Sequence, residues 1–428
     1  MRMKTLNNKD LNFICLRCIK ELLIAFMIVQ AACSSKPTSK ADTHFHNDST
    51  LIELDVTKSY PIKEYCLQDI ADIKYIKLET RTDVIVTGGL CAVTDKEIIF
   101  NEYTSGDILF FNKDGEFVRK INRKGDGPDE YLKLNDTPCY DSDSKELFVT
   151  DFFKKKILVY DVEGNYKREL RYPDIKVEEG IAKTPQFCYL KNYNSDELLT
   201  VFKSFRSSSD IDKYIILSKK TGEIKRIIEI PDKEYVTLNT ERNGKVGEIF
   251  YVWSTYINIL PVIPHSLGFN ITNTSSDTIY RLNKEYQLCP LLVRTPAIKK
   301  MEEPIFIVGS LETQYYYFLV SIKKIQENLD ESGYPKNGYP ETCLIYDKRE
   351  RSFFECNVVN KDWQDKDFFI SMKHCYFEIG PNKAVIRLYA HELVEAYQNN
   401  LLSGKLKEIA TGLNEEDNPI LMEVTFKN

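Results

Sequence analysis

The stretch Ile108-Leu-Phe-Phe-Asn-Lys-Asp-Gly-Glu-Phe-Val-Arg-Lys-Ile121 recurs twice further along the chain. Ile157-Leu-Val-Tyr-Asp-Val-Glu-Gly-Asn-Tyr-Lys-Arg-Glu-Leu170 matches it position for position, and Ile215-Ile-Leu-Ser-Lys-Lys-Thr-Gly-Glu-Ile-Lys-Arg-Ile-Ile228 is a third copy. Each copy has an apolar run, a turn that ends in glycine, and a second run in which apolar and polar residues alternate. This order of features predicts a β-hairpin in each copy.

The spacing of the copies predicts how the hairpins are assembled. Weaker copies begin at Ile279 and Cys343, so the five copies start 49, 58, 64 and 64 residues apart. Strand-rich repeats of this length are typical of β-propeller blades with inserted loops. Residues 377–388 and 420–426 supply a sixth blade, which the alternating segment 73–79 can complete, closing the ring. We predict an all-β, six-bladed β-propeller; seven blades is the alternative.

The fifth blade is expected to carry an insertion. Residues 319–329 have a helix-like pattern, and two Gly-Tyr-Pro sequences follow at Gly333 and Gly338. We expect this loop to cap one face of the propeller or to touch a partner.

The composition is that of a globular protein, with 428 residues, 43% hydrophobic residues, 26 Tyr and 23 Phe. Aromatic side chains suit the pleated surface of a sheet. Disordered and collagen-like classes are excluded. The 58 basic and 64 acidic residues give a formal net charge of −6. Because this charge provides no basic field, we expect no nucleic-acid binding.

The first 32 residues have the pattern of a secretory signal peptide. Five basic residues precede the apolar run 22–29, which is too short to span a membrane. Residues 30–35, Gln-Ala-Ala-Cys-Ser-Ser, are similar to the lipobox of bacterial lipoproteins, in which the cysteine, here Cys33, is diacylated and becomes the mature N-terminus. Gln30 departs from the usual aliphatic residue, so cleavage by a type I signal peptidase is the alternative.

The sequence after the leader predicts an anchored domain. Residues 33–50 read as the lipidated Cys33 and a flexible tether, and residues 51–428 as a single β-propeller domain. Without residues 1–32 the chain carries 53 basic and 62 acidic residues, a net charge of −9. No acidic cluster follows Cys33. We therefore predict an outer-membrane-anchored lipoprotein that faces the periplasm and contacts the membrane through its N-terminal lipid.

A motif after the first blade resembles a known family. Lys124-Gly-Asp-Gly-Pro-Asp-Glu-Tyr131 looks like the G-x-G-P-x-E-(Y/F) sequence of NHL-like six-bladed β-propeller lipoproteins of Gram-negative bacteria. Ile73-Lys-Tyr-Ile-Lys-Leu-Glu-Thr80, Asp277-Thr-Ile-Tyr280 and Glu416-Asp-Asn-Pro-Ile-Leu421 agree with that family, and the resemblance covers about residues 51–428. It implies a propeller fold and an exported lipoprotein, and it carries over no catalytic residues.

Loop length predicts which face of the propeller binds. In a blade with strands A to D from the axis outward, the B–C and D–A connections lie on one face, and the A–B and C–D turns lie on the other. Because the C–D turns are short, we expect binding on the face with the longer loops. The candidate binding residues are Arg123, Lys124, Asp126, Glu130, Tyr131, Phe152, Phe153 and Lys154.

These loop residues also have a structural interpretation. Gly125 and Gly127 can supply positive φ angles, Pro128 can fix the exit of the loop, and Glu130 can accept hydrogen bonds from loop amides. The sequence leaves both interpretations open.

No linear motif indicates a catalytic or transition-metal site. His265 and His374 can meet at the channel mouth only through the fold, and solvated or core positions are the expectation for both. Asp141-Ser-Asp-Ser144 lacks the glycine and the final glutamate of an EF-hand and reads as a polar A–B turn. We expect no cofactor or metal; Ca²⁺ at the channel is an alternative that no motif supports.

The sequence favours a non-enzymatic module that binds an unknown protein, a polar small molecule or a glycan. The alternative is a propeller enzyme, a hydrolase or lyase that acts on glycans or other extracytoplasmic polymers. Convergent His, Arg, Tyr and carboxylate side chains with shifted pKa values at the channel mouth would favour the enzyme.

Overall fold

A computed structural model describes residues 51–134, 136–171, 186–203, 213–231, 236, 238, 240–246, 249–255, 260–330, 335–368, 375–376 and 382–427. The chain divides into two units, Met1–Ser49 and Thr50–Asn428, and every described residue belongs to the second unit. The predicted leader, Cys33, the tether and His374 lie outside the described residues.

The N-terminal part of the fold contributes strands to three different sheets. These elements are β1 (Ile52–Asp55), β2 (Ile62–Cys66), helix α1 (Leu67–Ile70) and β3 (Ala71–Lys77).

Five antiparallel meanders of four strands follow in chain order. The first is β4 (Gly89–Val93), β5 (Glu97–Asn101), β6 (Asp107–Asn112) and β7 (Phe117–Asn122). The second is β8 (Cys139–Asp141), β9 (Glu146–Asp151), β10 (Lys156–Asp161) and β11 (Tyr166–Arg171), and the third is β12 (Gln186–Asn192), β13 (Glu197–Lys203), β14 (Lys213–Ser218) and β15 (Ile224–Glu229).

A separate hairpin, β16 (Thr240–Val246) and β17 (Ile249–Thr255), comes next. The fourth meander is β18 (Val262–His265), β19 (Gly268–Ile271), β20 (Thr278–Asn283) and β21 (Leu288–Thr295), followed by the 3₁₀ turn Ile298–Lys300. The fifth is β22 (Ile305–Glu312), β23 (Tyr316–Lys323), β24 (Glu341–Asp347) and β25 (Ser352–Asn360), with β26 (Trp363–Asp367) paired to β25.

The last sheet joins the two ends of the described chain. Its strands are β27 (Cys375–Tyr376), β28 (Lys383–Leu388), β29 (Ile420–Phe426) and β3, and helices α2 (Ala390–Gln398) and α3 (Gly404–Ala410) lie between β28 and β29. β3 pairs antiparallel with β29, from Ile420 opposite Lys77 to Phe426 opposite Ala71. The predicted strand at residues 73–79 therefore pairs with the last strand, as the sequence indicated.

Two N-terminal strands extend the outer edges of other sheets. β1 adds in parallel to β21, and β2 adds in parallel to β25. No pattern in the sequence predicts these pairings. They cover two sheet edges that would otherwise expose unpaired backbone groups.

Neighbouring sheets pack face to face through apolar side chains. Ile99 and Phe110 of the first meander lie in one buried cluster with Leu147 and Leu158 of the second. The inner strands β4, β8 and β12 are neighbours around the axis. The protein is thus an all-β propeller, as predicted. Five blades are formed by consecutive strands, which is one fewer than the six predicted and two fewer than the alternative.

The glycine that ends each repeated turn is required by the backbone. Gly115, Gly164 and Gly222 have φ angles of 89°, 84° and 75°, a region that other residues avoid. A Cβ on Gly115 would lie 2.1 Å from the carbonyl oxygen of Lys77, in the outer strand β3 of the adjacent sheet. The repeated glycine therefore permits both the hairpin turn and the close approach of neighbouring sheets.

The one helix expectation from the sequence, for residues 319–329, was wrong. Residues 319–323 belong to β23, where Val320 and Ile322 have the β-branched side chains that suit a buried strand. The helices lie instead at α2 and α3, which no sequence signal singled out. No helix in the described part of the chain is long and apolar enough to cross a membrane.

Candidate functional site

A cavity of about 1190 Å³ lies at the end of the propeller where the A–B turns meet. Its wall includes turn residues from successive sheets, among them Thr94, Ser142, Asn192, Ser266, Gln314 and Asn382. The polar A–B turn predicted at Asp141–Ser144 is one of these turns, although Asp141 is the last residue of β8 and the turn extends to residue 145. The cavity therefore lies on the face with short turns, opposite the face that loop length favoured.

The side chain of Glu312 is the centre of a charged cluster in the cavity wall. It ends strand β22 and is only 4% exposed. Oε1 accepts a hydrogen bond from Lys348 Nζ at 2.7 Å. Oε2 accepts hydrogen bonds from Asn270 Nδ2, at 2.8 Å, and from Arg281 Nη2. Both carboxylate oxygens are thus held by donors.

The fourth and fifth meanders supply these donors together. Asn270 lies in β19, Arg281 lies in β20, and Lys348 follows the end of β24. Arg281 Nε donates to Asn270 Oδ1 at 3.1 Å, and Lys348 Nζ also donates to the carbonyl oxygen of Thr313 at 2.7 Å. The cluster therefore forms only when the two sheets pack side by side.

The charges around Glu312 determine its protonation state. Burial alone would raise the pKa of the Glu312 carboxyl, but the positive charges of Arg281 and Lys348 lower it to about 2. Glu312 is therefore ionised at every physiological pH. It balances one of the two adjacent positive charges and leaves the other unbalanced.

His265 completes the cluster at the end of β18. Its Nε2 lies 3.7 Å from Glu312 Oε2, and its Nδ1 accepts a hydrogen bond from the Leu267 amide at 3.2 Å. Burial lowers the pKa of the imidazole to about 4, although the Glu312 charge opposes this effect. His265 is therefore neutral at pH 7 and carries its proton on Nε2, facing Glu312.

On the opposite face, the loop 123–131 holds the residues that the sequence singled out. Tyr131 is fully buried, and its hydroxyl donates to the Gly106 carbonyl oxygen at 2.7 Å while accepting from the Arg123 amide at 3.0 Å. Glu130 Oε2 accepts a hydrogen bond from the Gly127 amide at 2.8 Å. Both side chains stabilise the loop, and for Glu130 this is the amide contact that the structural interpretation predicted. Gly125 and Gly127 do not have the positive φ angles that it predicted; a Cβ on Gly125 would instead lie 2.0 Å from Glu130 Oε2.

Lys154 enters the same loop from the second meander. Its ammonium group donates to the carbonyl oxygens of Gly125, Gly127 and Glu130 at 3.1, 2.8 and 2.8 Å. All three hydrogens of the ammonium group are thereby used inside the protein.

The remaining candidates are more accessible. Arg123 Nε donates to the Gly164 carbonyl oxygen at 2.7 Å, and Lys124 Nζ donates to the Thr104 carbonyl oxygen at 2.8 Å. Asp126 is exposed, and Phe153 is 60% exposed, with its ring 5.6 Å from that of Phe152. The structure brings all eight candidates to one face, and their role in binding stays a prediction.

The Glu312 cluster escaped the sequence analysis because its members are far apart in the chain. Arg281 and Lys348 sit in or beside repeat strands whose pattern explains them without any function. A charged residue at the end of the apolar run 305–312 was the one available signal, and it is weak. Within the described residues, no group of three or more His, Cys, Asp and Glu side chains could hold a metal ion.

The sheets and the axial cavity define the class of the protein, an all-β propeller with a charged, buried cluster at one mouth. The chain belongs to the family of the domain of unknown function DUF4934, whose profile matches residues 51–425. The resemblance to NHL-like lipoproteins stays a prediction.

Solved structures provide two comparisons. The chain is similar to the "Putative exported protein" BF0058 of Bacteroides fragilis NCTC 9343, at 18% identity and a TM-score of 0.56, over 86% of this chain and 100% of that one. A member of the DUF4221 family from Bacteroides vulgatus ATCC 8482 is 12% identical, with a TM-score of 0.44, over 84% of this chain and 98% of that one. No curated protein matches the sequence.

Proposed function

We propose that this protein is an exported, membrane-anchored β-propeller that binds a polar small molecule or glycan in its axial cavity without transforming it. The observation that carries the proposal is the cavity of about 1190 Å³ with the Glu312 cluster in its wall. Ligand sites are commonly concave, with a few fixed polar groups among other side chains. The cavity is slightly larger than the usual range of about 300–1,000 Å³ for such sites.

The proposal includes a ring of six blades. The sheet made of β27, β28, β29 and β3 would be the sixth, closed by a strand from the N-terminal side. Two packing contacts support it. Leu421 of this sheet lies in a buried cluster with Phe100 of the first meander, and Met422 lies in one with Phe318 of the fifth. A sheet with neighbours on both sides fits a closed ring.

Export and anchoring are also part of the proposal. The signal-like leader and the lipobox-like sequence around Cys33 support them, and the name of BF0058 describes an exported protein. Growth of cells with a labelled fatty acid should label the full chain and leave the Cys33→Ala variant unlabelled. A variant that still carries label would contradict lipidation at Cys33 and the periplasm-facing outer-membrane anchor that depends on it.

The opposite face is a second proposed binding surface, suited to a protein partner. Its support is the exposed part of the candidate set, Lys124, Asp126 and Phe153. Aromatic side chains such as that of Phe153 are enriched in protein interfaces, and the rim around them is polar.

One observation favours an enzyme instead, namely the convergence of His265, Arg281 and Glu312 at the channel mouth. A general acid or base works best when its pKa lies near the working pH. Glu312, with a pKa of about 2, and His265, with a pKa of about 4, both lie well below neutrality. Since both hydrogen-bonding edges of the carboxylate are also occupied, the cluster suits binding better than hydrolysis or elimination.

The cavity proposal can be tested with two tryptophan substitutions. Ser266 lies exposed at the cavity mouth, and Thr104 lies exposed on the opposite face. The full chain, purified in detergent from its own cell envelope, should carry a bound molecule that native mass spectrometry detects. Ser266→Trp should reduce its occupancy, and Thr104→Trp should retain it. Equal occupancy in the two variants, or no bound molecule in the wild-type protein, would contradict the proposal.

A further inference from the structure

In the Glu312 cluster, the N–H donors outnumber the hydrogen bonds that they make. Arg281 uses Nε and one Nη2 hydrogen, and Lys348 Nζ donates to two acceptors. A guanidinium group carries five N–H donors and an ammonium group three. Among the residues that the structure describes, the two Nη1 hydrogens and the second Nη2 hydrogen of Arg281 and the third hydrogen of Lys348 have no acceptor.

The acceptors of the cluster are already used. Both oxygens of Glu312 accept hydrogen bonds, and the Thr313 carbonyl oxygen accepts one from Lys348. His265 Nδ1 is occupied by the Leu267 amide. Every acceptor of the cluster thus already has a donor, whereas several N–H groups have no acceptor, so the cluster favours a ligand that supplies acceptors.

The net charge of the cluster also favours a ligand that supplies acceptors. Two cations, Arg281 and Lys348, surround one carboxylate, and His265 is neutral, so the cluster has a net charge of +1. The chain without its leader has a net charge of −9. The rest of the cavity wall is balanced, with basic Lys96, Arg119, Lys145 and Lys191 and acidic Asp95, Glu97, Asp143 and Glu163. The excess positive charge is therefore located at the cluster.

We propose that the ligand of the cavity carries an oxyanion, a carboxylate, phosphate or sulfate group, that binds to Arg281 and Lys348. This inference rests on the proposed function and specifies its ligand class. Arginine presents paired N–H donors that match two oxygens of such a group, and lysine adds a point charge. Glu312 acts as a positioning residue, because its carboxylate holds both cations at the wall of the cavity.

Calorimetry on the full chain in detergent can test the ligand class. The probes are inorganic phosphate, sulfate, an oligogalacturonate and a neutral galacto-oligosaccharide of equal length. We expect saturable binding of the oligogalacturonate, with weaker binding by the two inorganic ions. The neutral oligosaccharide should bind at least ~10-fold more weakly than its acidic counterpart, because it lacks a charge-assisted contact. Added NaCl should weaken binding of the anions in the wild-type protein.

Variants at one position separate charge from shape. Lys348→Met should weaken binding of the oligogalacturonate by ~10-fold or more, and Lys348→Arg should restore most of it. Lys220→Met removes a charge from the exposed turn between β14 and β15, outside the cavity wall, and should change binding little. If Lys348→Met does not fold, the salt dependence and the acidic-to-neutral preference of the wild-type protein still decide the question.

The contrary results are distinguishable. Binding of the neutral oligosaccharide as tightly as the acidic one, or binding of anions that Lys348→Met leaves intact, would overturn the oxyanion inference while the cavity proposal stands. A bound neutral molecule that Ser266→Trp displaces would have the same effect. If no probe binds and the purified protein carries no molecule, both proposals fail.

Discussion

The side chain of Lys154, in the turn between β9 and β10, holds the loop 123–131, which connects β7 to β8. Its ammonium group donates to three carbonyl oxygens of residues 125–130. Removing a partner of buried hydrogen bonds leaves acceptors unsatisfied, at about 1–3 kcal/mol for each group. Lys154→Met should therefore lower the free energy of unfolding by about 2–4 kcal/mol, measured by urea denaturation of the full chain.

The neighbouring residue provides a control for Lys154. Lys155 is exposed and makes no hydrogen bond or ion pair with any described residue. Lys155→Met should change the free energy of unfolding by less than about 0.5 kcal/mol. If Lys154→Met lost partner binding but kept wild-type stability, the result would support the binding role predicted for Lys154 from the sequence and contradict its structural role.

His265 makes the stability of the protein depend on pH. Its pKa falls from 6.5 to about 4 on folding. Between these values the unfolded chain binds a proton that the folded chain does not, so stability decreases as pH falls from 6.5 to 4. The effect is on the order of 3 kcal/mol. Glu312, with a folded pKa of about 2, adds a further loss of stability that begins below the ordinary glutamate pKa of 4.5.

A histidine substitution isolates this contribution. Unfolding free energies of His265→Asn should depend less on pH between 6.5 and 4 than those of the wild-type protein. The control is His391→Asn, since His391 is exposed in helix α2. Parallel pH profiles for the wild-type protein and His265→Asn would contradict the buried, neutral imidazole.

Individual residues differ in how far sequence predicts their roles. The structural interpretation of Glu130 was available, because a carboxylate three residues after a glycine can reach the glycine amide. The burial of Tyr131 and the carbonyl contacts of Lys154 depend on another meander, which the sequence does not position. Glu312 illustrates the same limit, since its partners Arg281 and Lys348 lie in β20 and directly after β24.

Among the structural elements, the repeated hairpins have a testable requirement at their turns. Gly115 has a φ angle of 89°, and an added Cβ would lie 2.1 Å from the Lys77 carbonyl oxygen. Gly115→Ala should lower the free energy of unfolding by about 2 kcal/mol or more, since it combines a left-handed backbone with a backbone clash. Gly412→Ala is the matched control, because nothing lies within 4 Å of its Cβ position. Equal effects of the two substitutions in urea denaturation would contradict this role of the turn.

The predictability of each element follows from how local its contacts are. Hairpins were predicted because a short turn and two alternating runs specify their pairing within the repeat. The parallel addition of β2 to β25 was not predicted, because Ile62 pairs opposite Glu355, in a distant part of the sequence. Residues 319–323 were misassigned because their packing in β23 outweighs the helix-like pattern.

At the scale of the whole molecule, the chain closes on itself through β3 and β29. Seven residue pairs hold this contact, with Asp72 opposite Thr425. β3 is the outer strand of this sheet, so the pairing joins an N-terminal segment to the last strand of the chain. Closure also sets the shape of the cavity, because Asn382, in the turn before β28, lies in its wall beside residues of the other sheets.

A pair of cysteines can test this closure directly. Asp72→Cys combined with Thr425→Cys should form a disulfide under mild oxidation, because paired residues in antiparallel strands lie about 4.5–5.5 Å apart. Mass spectrometry of the linked peptide identifies the bond, and the unfolding temperature should rise because the crosslink restricts the unfolded chain. The control combines Asp72→Cys with Glu423→Cys, since Glu423 pairs with Lys74 and lies out of register. Equal yields of the two crosslinks, or linkage of either cysteine to another blade, would contradict closure through β3.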